Sequence, residues 1–460
     1  MPNTIVAQAT PPGLSGLSVI RISGDDAFII ADKCFQGKKK IINTQTHTIL
    51  YGDFIYHNII IDDVTCSIFH KPHSYTGENT VEFGTHGGNI IPQQIINALI
   101  NAGCKHAEAG EFTRRAFING KINLIQAEAV ADLIHSISVP SANISAKQLR
   151  GNITKQLTDL RNTLLDIAAT IELNIDFTEE NIILTDNENI LTNINSAINI
   201  TSSLVNSFSV ANILRDGFTI AIVGNPNAGK STLFNALLNS QRAIVSTKPG
   251  TTRDYITEMI YINNIPVKLI DTAGLRDTDD IIEIAGIELT HKILEEANLI
   301  LFINDISNTD NNYISILQQI IIKYPNTKTI LVNNKIDLVN EQILLKSKEL
   351  VATSIGISSL FISANKQDAN LKTLRDKISE ITIEQIKTSN DILLNERQYF
   401  KLIEVSNSLI AARDLLLHNS NEELLSIELR NAGHLLGELT GQTWSEAVLN
   451  NIFERFCIGK

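Results

Sequence analysis

Residues 224–232 read GNPNAGKST and have the spacing of a phosphate-binding loop. They follow a short apolar run, FTIAIVG, and precede a helical pattern, which is the context that this motif requires. Gly224 and Gly229 let the backbone wrap around phosphate oxygens, while N–H groups at the helix N-terminus supply positive potential. Lys230 would reach the β- and γ-phosphates, and Ser231 would ligate magnesium. The sequence therefore predicts a nucleoside triphosphate site.

Two further motifs, each after an apolar run, identify the base as guanine. In DTAG, Asp271 would hold magnesium indirectly and Gly274 would give its N–H to the γ-phosphate. In NKID, Asp337 would accept hydrogen bonds from both N–H groups on the guanine edge, and Asn334 would brace the base and its loop. Adenine lacks those donors, so such a site selects guanine by roughly 10⁴-fold. ISAN, residues 362–365, fits the last base-contacting loop, although Asn stands where Lys is more usual.

The switch segments between these motifs raise a question about hydrolysis. GTTRD, residues 250–254, has the pattern of the loop whose Thr closes over magnesium; Thr252 is the preferred residue and Thr251 the alternative. After DTAG comes Leu275, at the position where Ras-type GTPases carry a Gln that orients the attacking water. Because Leu cannot hydrogen-bond, another group must orient that water.

Four regions of the chain differ in pattern and predict a multidomain α/β, all-α and α+β protein. Residues 1–120 mix β-rich runs with Gly-rich turns, which indicates a compact α+β unit. Residues 121–215 carry helical stripes, one of which begins Ile153, Leu157, Leu160. Residues 216–380 alternate short apolar runs with helical segments, which is typical of a doubly wound parallel sheet.

The helical pattern returns over residues 381–460 and ends in CIGK. We therefore expect the α/β unit to be inserted into a helical domain built from both flanks; a separate C-terminal helical domain is the alternative. Within the α/β unit, EMIYINNIPVKLI predicts a hairpin with an Asn263–Asn264 turn, which adds one antiparallel edge strand.

Composition narrows the class of protein. Hydrophobic residues make up 43% of the 460 residues, and no apolar run is long enough to predict a membrane span. The N-terminus lacks a secretory pattern and the four cysteines are scattered, so we expect a cytoplasmic protein with reduced thiols. A formal net charge of −12 argues against uniform binding along a nucleic-acid backbone.

These motifs, with IVAQATPPG and IRISG near the start, AGEFTRRAFINGKINLIQAEAVADLI at 109–134 and FCIGK at the end, resemble the MnmE (TrmE) family of tRNA-modifying GTPases. The resemblance extends over almost the whole chain. It implies a homodimer that works with a flavin-dependent partner of the MnmG type as a heterotetramer. The implied substrate is GTP, and the implied cofactors are Mg²⁺, K⁺ and a tetrahydrofolate derivative (5-formyl or 5,10-methylene). Together, the two proteins would install an aminomethyl or carboxymethylaminomethyl group at C5 of the wobble uridine of certain tRNAs. A ribosome-assembly or regulatory GTPase without modification chemistry is the alternative.

The resemblance also implies a catalytic role for potassium. Asn227 would coordinate K⁺ together with oxygens of the following loop, and Lys248 and Pro249 are less usual in that loop. The extra cation would replace an arginine finger, an effect worth about 10³- to 10⁵-fold in rate. Glu283 would orient the attacking water through a bridging water; its alternative role is to solvate an acidic loop. The implied K⁺ ligands are Asn227, Ser246, Lys248 and Thr251, the Mg²⁺ ligands Ser231 and Thr252, and the catalytic residues Glu283, Lys230 and Thr252.

The full set of residues expected at the GTP site combines these motifs. It comprises Asn227, Ala228, Gly229, Lys230, Ser231, Thr232, Ser246, Thr247, Lys248, Pro249, Gly250, Thr251, Thr252, Asp271, Thr272, Ala273, Gly274, Asn334, Lys335, Asp337, Ser363 and Ala364.

A folate site in the N-terminal domain is implied by the same resemblance. Folate carries an anionic tail and a pterin with donors and acceptors, so its site needs basic groups and a carboxylate. Motif matching assigns Arg21, Glu82 and Lys121, with Lys460 of the C-terminal CIGK as a further contact. A surface ion pair, a solvated acid and a helix-capping lysine are the other interpretations of the first three. Cys457 is a candidate nucleophile whose alternative is an ordinary terminal thiol.

Overall fold

The structure is a computed structural model that describes residues 4–176, 187–239, 256–263, 265–271, 291–308, 312–354, 357–365, 369–387, 392–418, 421–454 and 456–460. The chain forms two compact units. Unit 1 comprises Met1–His135, Ser145–Ser202 and Phe400–Lys460, and unit 2 comprises Ser136–Ile144 and Ser203–Tyr399.

Strands and helices follow the order that the sequence patterns predict. The strands are β1 (Ile5–Gln8), β2 (Ser18–Ser23), β3 (Phe35–Gly37), β4 (Thr48–Tyr56), β5 (Ile59–Phe69), β6 (Thr80–Thr85), β7 (Lys105–His106), β8 (Phe218–Gly224), β9 (Ile256–Ile262), β10 (Ile265–Asp271), β11 (Leu299–Asp305), β12 (Lys328–Asn334) and β13 (Ser359–Phe361). The helices are α1 (Ala27–Cys34), α2 (Ile91–Ala102), α3 (Glu111–Ile118), α4 (Leu124–Ile134), α5 (Val139–Leu149), α6 (Asn152–Asp176), α7 (Asn187–Asn206), α8 (Phe208–Asp216), α9 (Lys230–Asn239), α10 (Asn312–Lys323), α11 (Glu341–Ser354), α12 (Ala369–Lys387), α13 (Glu396–Leu417), α14 (Glu422–Thr440) and α15 (Glu446–Phe453).

The N-terminal sheet of unit 1 has the order β3-β4-β5-β6-β2-β1-β7. Its neighbours are antiparallel except β1 and β7, which are parallel. Alternate side chains of each strand point to opposite faces. Ile20 and Ile22 therefore join a core with residues of α1 and α2, while Arg21 between them lies on the other face. This confirms the α+β unit expected for the N-terminal region.

The helical body of unit 1 is built from both flanks of the chain. The stripe on α6 is largely buried, including Ile153, Leu157 and Leu164. This helix packs against α14, where the Ser426 hydroxyl donates a hydrogen bond to Glu172 at 2.6 Å. Because α6 precedes the strands of the α/β sheet in unit 2 and α14 follows them, that sheet is inserted into a helical body. The finer division at residues 120, 215 and 380 stays a prediction.

The sheet of unit 2 has the order β13-β12-β11-β8-β10-β9 and is parallel apart from edge strand β9. The predicted hairpin is confirmed, since β9 and β10 pair with Ile262 opposite Ile265. Asn263 has a φ of +50°, and Asn264 lies outside the described residues. Apolar cores cover both faces of this sheet, one involving α8, α9 and α12 and the other α10. This is the predicted doubly wound arrangement.

Within the described ranges, no helix combines the length and the apolar character that crossing a bilayer requires. Cys34, Cys66 and Cys104 are buried free thiols, and Cys457 is exposed.

Candidate functional site

The phosphate loop connects β8 to α9 and depends on residues that tolerate unusual backbone angles. Gly224 has a φ of +148°, and a Cβ there would lie 2.1 Å from the carbonyl oxygen of Ile303. Asn227 takes a left-handed φ of +60°, which Asn adopts more readily than most residues. The Lys230 ammonium donates to the carbonyl oxygens of Gly224 at 3.0 Å and Asn225 at 2.9 Å. Its charge therefore lies over the mouth of the loop, while Thr232 is exposed on the first turn of α9.

Asn334 joins this loop to the base-recognition motif. Its amide nitrogen donates to the carbonyl oxygen of Ala228 at 3.0 Å, and its amide oxygen accepts from the N–H of Ala364 at 2.9 Å. Both bonds are buried. A Cβ at position 229 would lie 2.3 Å from that same amide nitrogen, so Gly229 is required for the contact as well as for its φ of +93°. Three sequence motifs are thus held together by one side chain.

Ser231 and Asp271 form the candidate magnesium position. The hydroxyl of Ser231 donates to a carboxylate oxygen of Asp271 at 3.0 Å. Asp271 ends β10 and is 2% exposed, and β10 lies beside β8 in the sheet. A hydroxyl and a carboxylate are oxygen ligands of the kind that Mg²⁺ prefers. The residues therefore fit that ion.

The candidate base pocket is formed where β12 and β13 end. The Ser363 hydroxyl donates to Asp337 at 2.6 Å, and the N–H of Ile336 donates to the carbonyl oxygen of Ile362 at 3.3 Å. The predicted base-reading carboxylate is therefore fixed in orientation by the neighbouring SA motif.

Lys335, the second residue of NKID, connects two strands to the phosphate loop. It has a φ of +66°, and its ammonium donates to the carbonyl oxygen of Asn227 at 2.8 Å and to Asp305 at 2.6 Å. Burial raises the pKa of Asp305, but hydrogen bonds from Lys335 and Ser307 outweigh it and hold the pKa below its usual value. Sequence reasoning missed Asp305. The available signal was an Asp at the carboxyl end of a buried parallel strand.

Several predicted residues lie outside the described part of the chain, so their placement stays a prediction. They are Ser246, Thr247, Lys248, Pro249, Gly250, Thr251, Thr252, Thr272, Ala273, Gly274 and Glu283.

A second polar cluster lies on the face of the N-terminal sheet that is opposite the α1 and α2 core. Arg21 on β2 pairs with Glu82 on β6, with 2.7 Å between Nε and the carboxylate oxygen. The guanidinium lies 5.1 Å from the ring centre of Tyr75 and 5.4 Å from that of Phe112. One guanidinium nitrogen, Nη1, is buried without a hydrogen-bond partner among the described residues. A buried donor without a partner costs free energy unless a ligand or water accepts from it. The cluster therefore fits an anionic ligand such as a folate.

The C-terminal residues dock beside this cluster. Ile458 forms a β-bridge with Ala109, and the N–H of Phe112 donates to the carbonyl oxygen of Lys460 at 3.2 Å. Burial, then the positive charge of Arg21, lower the pKa of Lys460, and Glu82 partly offsets them. The structure thus brings together Arg21, Glu82 and Lys460, which are three of the four predicted folate contacts.

Lys121 has a different partner, because its ammonium donates to the carbonyl oxygen of Pro72 at 2.9 Å. Tyr75 and Phe112 were missed from sequence, since nothing in SYTGE or EFTRR marks an aromatic residue that will stack on an arginine.

Comparisons with known proteins cover the whole chain. The family described as "GTP-binding protein TrmE N-terminus" matches residues 4–121, and the one described as "MnmE helical domain" matches 124–457. The tRNA modification GTPase MnmE of Flavobacterium johnsoniae is 38% identical over 464 residues, spanning 100% of this chain and 99% of the relative. That of Christiangramia forsetii is 38% identical over 471 residues, with the same coverage of 100% and 99%.

Among solved structures, a variant of Aquifex aeolicus Era bound to GDP and AlF4⁻ is 29% identical, covering 42% of this chain and 66% of that one. Its TM-score of 0.29 is too low to support an inference about function. The full-length relatives and the two matching family descriptions lead to a single conclusion: this chain belongs to the MnmE family of tRNA modification GTPases and is a P-loop enzyme that hydrolyses GTP.

Proposed function

We propose that this chain is a K⁺-dependent GTPase that, with a flavin-dependent partner of the MnmG type, installs an aminomethyl or carboxymethylaminomethyl group at C5 of the wobble uridine of certain tRNAs. The observation that supports this proposal is that residues fitting a guanine nucleotide and an Arg21 cluster fitting an anion occur in one chain that matches modification GTPases over its full length. The tRNA substrate of such an enzyme argues for a cytoplasmic location.

The nucleotide site supports GTP as the substrate. Asp337, oriented by Ser363, would accept the two guanine N–H groups, and the tie between Asn334 and Ala228 would set the distance from base to phosphates. Lys230 would leave the carbonyl oxygens of its own loop and bind the β- and γ-phosphates. The domain proposed to perform this step spans residues 216–380, between helical segments 121–215 and 381–460.

Hydrolysis would require the switch residues as well. Ser231 and Thr252 would hold Mg²⁺, with Asp271 bound to it through water. When bound, K⁺ would supply positive charge at the β–γ bridge, where Ras-type systems use an arginine. Asn227, Ser246, Lys248 and Thr251 would hold that ion, and the left-handed, exposed crest at Asn227 supports this assignment. Glu283 would orient the attacking water through a second water.

The cluster around Arg21 supports a site for a tetrahydrofolate derivative, which would supply the one-carbon unit. The unpartnered Nη1 of Arg21 and the ammonium of Lys460 would bind the ligand's anionic or carbonyl oxygens, and Glu82 would accept from pterin N–H groups. The rings of Tyr75 and Phe112, which lie close to the guanidinium, would keep Arg21 in place. Lys121 would have to release Pro72 to take part.

The exposed apolar residues at β4 of the N-terminal sheet support a homodimer. Ile49 and Tyr51 on β4 share the face of Arg21 and are 69% and 68% exposed, and Leu17 nearby is 60% exposed. Apolar side chains clustered in this way favour burial against another protein surface. A second copy covering them would also enclose the Arg21 cluster. The net charge of −12 suggests that the flavin-dependent partner carries much of the tRNA-binding surface.

Mass spectrometry of tRNA nucleosides from cells that lack this chain tests the proposal. We expect the C5-substituted wobble uridines to disappear and to return with the wild-type gene. They should not return with Arg21→Lys, which keeps the nucleotide site intact. Normal wobble uridines in the deletion strain would overturn the modification function while leaving GTP hydrolysis in place.

A further inference from the structure

The Asp305 carboxylate and the Lys335 ammonium form an ion pair, called the brace below, that contacts the phosphate loop at Asn227. Asn227 is the exposed residue that forms the crest of that loop. Asp305 ends β11, and Lys335 directly follows β12, the adjacent parallel strand. The Lys335 side chain is 29% exposed and the Asp305 side chain is 19% exposed, so the pair is largely shielded from water. The Lys335 ammonium donates a hydrogen bond to the Asp305 carboxylate at 2.6 Å and another to the carbonyl oxygen of Asn227 at 2.8 Å.

The carboxylate is itself fixed by two bonds at its other oxygen. The N–H of Ser307 donates to Asp305 Oδ1 at 2.9 Å, and the Ser307 hydroxyl donates to it at 2.5 Å. Charge-assisted hydrogen bonds of this kind are roughly twice as strong as neutral ones. A chain of fixed contacts therefore runs from Ser307 through Asp305 and Lys335 to the Asn227 carbonyl.

The position of that carbonyl matters because Asn227 is exposed and has a left-handed backbone conformation. Its φ of +60° is less common for a residue other than glycine, although Asn adopts it more readily than most, so contacts with the surroundings help to hold it. The next carbonyl, that of Ala228, is held separately by Asn334. Two successive carbonyls of the phosphate loop are thus held by two successive residues of NKID.

We propose that Asp305 is a positioning residue for nucleotide binding and hydrolysis. Through Lys335 it holds the Asn227 peptide in its left-handed conformation. That conformation directs the loop N–H groups toward the phosphates and the Asn227 side chain toward the proposed potassium ion. Without the carboxylate, the Lys335 ammonium is free to turn to solvent, and the crest relaxes. The part concerning the Asn227 side chain rests on the proposed potassium site, whereas the part concerning the loop N–H groups does not.

The test compares the full-length wild type with Asp305→Asn, Asp305→Glu and Glu384→Gln. The last variant removes the carboxylate of another lysine pair in unit 2, Lys328–Glu384, at 3.1 Å. Three quantities are measured: the dissociation rate of a fluorescent GDP analogue, the KCl concentration for half-maximal GTP hydrolysis, and the melting temperature. For Asp305→Asn we expect dissociation to become faster and the KCl midpoint to rise, each by about fivefold to tenfold, the size of one typical net hydrogen bond.

Asp305→Glu should recover at least half of each change, Glu384→Gln should match the wild type, and no melting temperature should change by more than a few degrees. The double variant Asp305→Asn/Lys335→Met should be no worse than Lys335→Met alone, because both residues act through one contact. Additive effects in the double variant, or Asp305→Asn values within twofold of the wild type, would overturn the proposal. A wild type insensitive to potassium would reject the proposed ion site instead, and the GDP dissociation rate would still test the brace.

Discussion

The amide nitrogen of Asn334 lies 3.0 Å from the carbonyl oxygen of Ala228, so the motif that reads the base is tied directly to the loop that binds phosphate. The contact is possible because Gly229 carries no side chain, since a Cβ there would lie 2.3 Å from the same nitrogen. Base and phosphates are therefore bound by one connected framework.

Asn334→Ala should disrupt that framework. It leaves the Ala228 carbonyl and the Ala364 N–H buried without partners, at a cost of about 1 to 3 kcal/mol each. We expect GDP affinity to fall by about a hundredfold or more, as measured by titration with a fluorescent GDP analogue. Asn334→Asp retains the oxygen that accepts from Ala364 and is the matched control for the lost donor. Affinity within about threefold of the wild type in Asn334→Ala would contradict the framework.

Asp337→Asn should change base selection, because an amide nitrogen would replace one acceptor oxygen. One of the two guanine N–H groups would lose its acceptor and face an amide N–H group instead, while the corresponding carbonyl of xanthine would gain a donor. We expect GTP affinity to fall by about a thousandfold and XTP to become the preferred nucleotide in competition titrations. Ser363→Ala, which removes only the 2.6 Å bond that orients Asp337, should weaken GTP binding yet keep the guanine preference. An unchanged preference for GTP in Asp337→Asn would place base recognition elsewhere.

Arg21→Lys should abolish most folate binding, although it keeps the positive charge. Lysine cannot supply the Nη1 donor or the flat guanidinium that lies close to the Tyr75 and Phe112 rings. Isothermal titration with 5-formyltetrahydrofolate should show affinity lowered by about tenfold to a hundredfold. Lys105→Met, which removes an exposed ion pair with Glu108, is the control and should bind normally. Normal binding by Arg21→Lys would remove the cluster from consideration as the folate site.

Folate affinity should depend on pH through Lys460. Burial and the Arg21 charge lower the pKa of its ammonium, so it loses its proton at a lower pH than an ordinary lysine. An anionic ligand favours the protonated form, and binding therefore takes up a proton once the pH reaches that lowered pKa. We expect affinity to fall as pH rises through this range and Lys460→Met to show a weaker dependence. Identical pH profiles for the two proteins would exclude Lys460 from the site.

Short-range patterns were sufficient to predict the elements and the nucleotide motifs. The β9–β10 hairpin and the buried stripe on α6 follow from local periodicity, and the placement of the GKS residues, of Asp271 and of the NKID residues follows from fixed spacing. Contacts that close long loops could not be predicted in this way. Only the family resemblance assigned Lys460 and Arg21 to one expected site, and no pattern indicated the pairing of Asp305 with Lys335; both contacts depend on how distant segments pack. A residue's own neighbours in sequence carry no signal of those partners.

The rate of GTP hydrolysis by the purified full-length chain in KCl and in NaCl, at equal ionic strength and saturating Mg²⁺, tests the central claim most directly. If a cation held at Asn227 supplies the charge that an arginine supplies elsewhere, hydrolysis should be at least about tenfold faster in KCl, while GDP affinity stays the same in both salts. Equal rates in the two salts, with GTP bound equally well, would contradict the account.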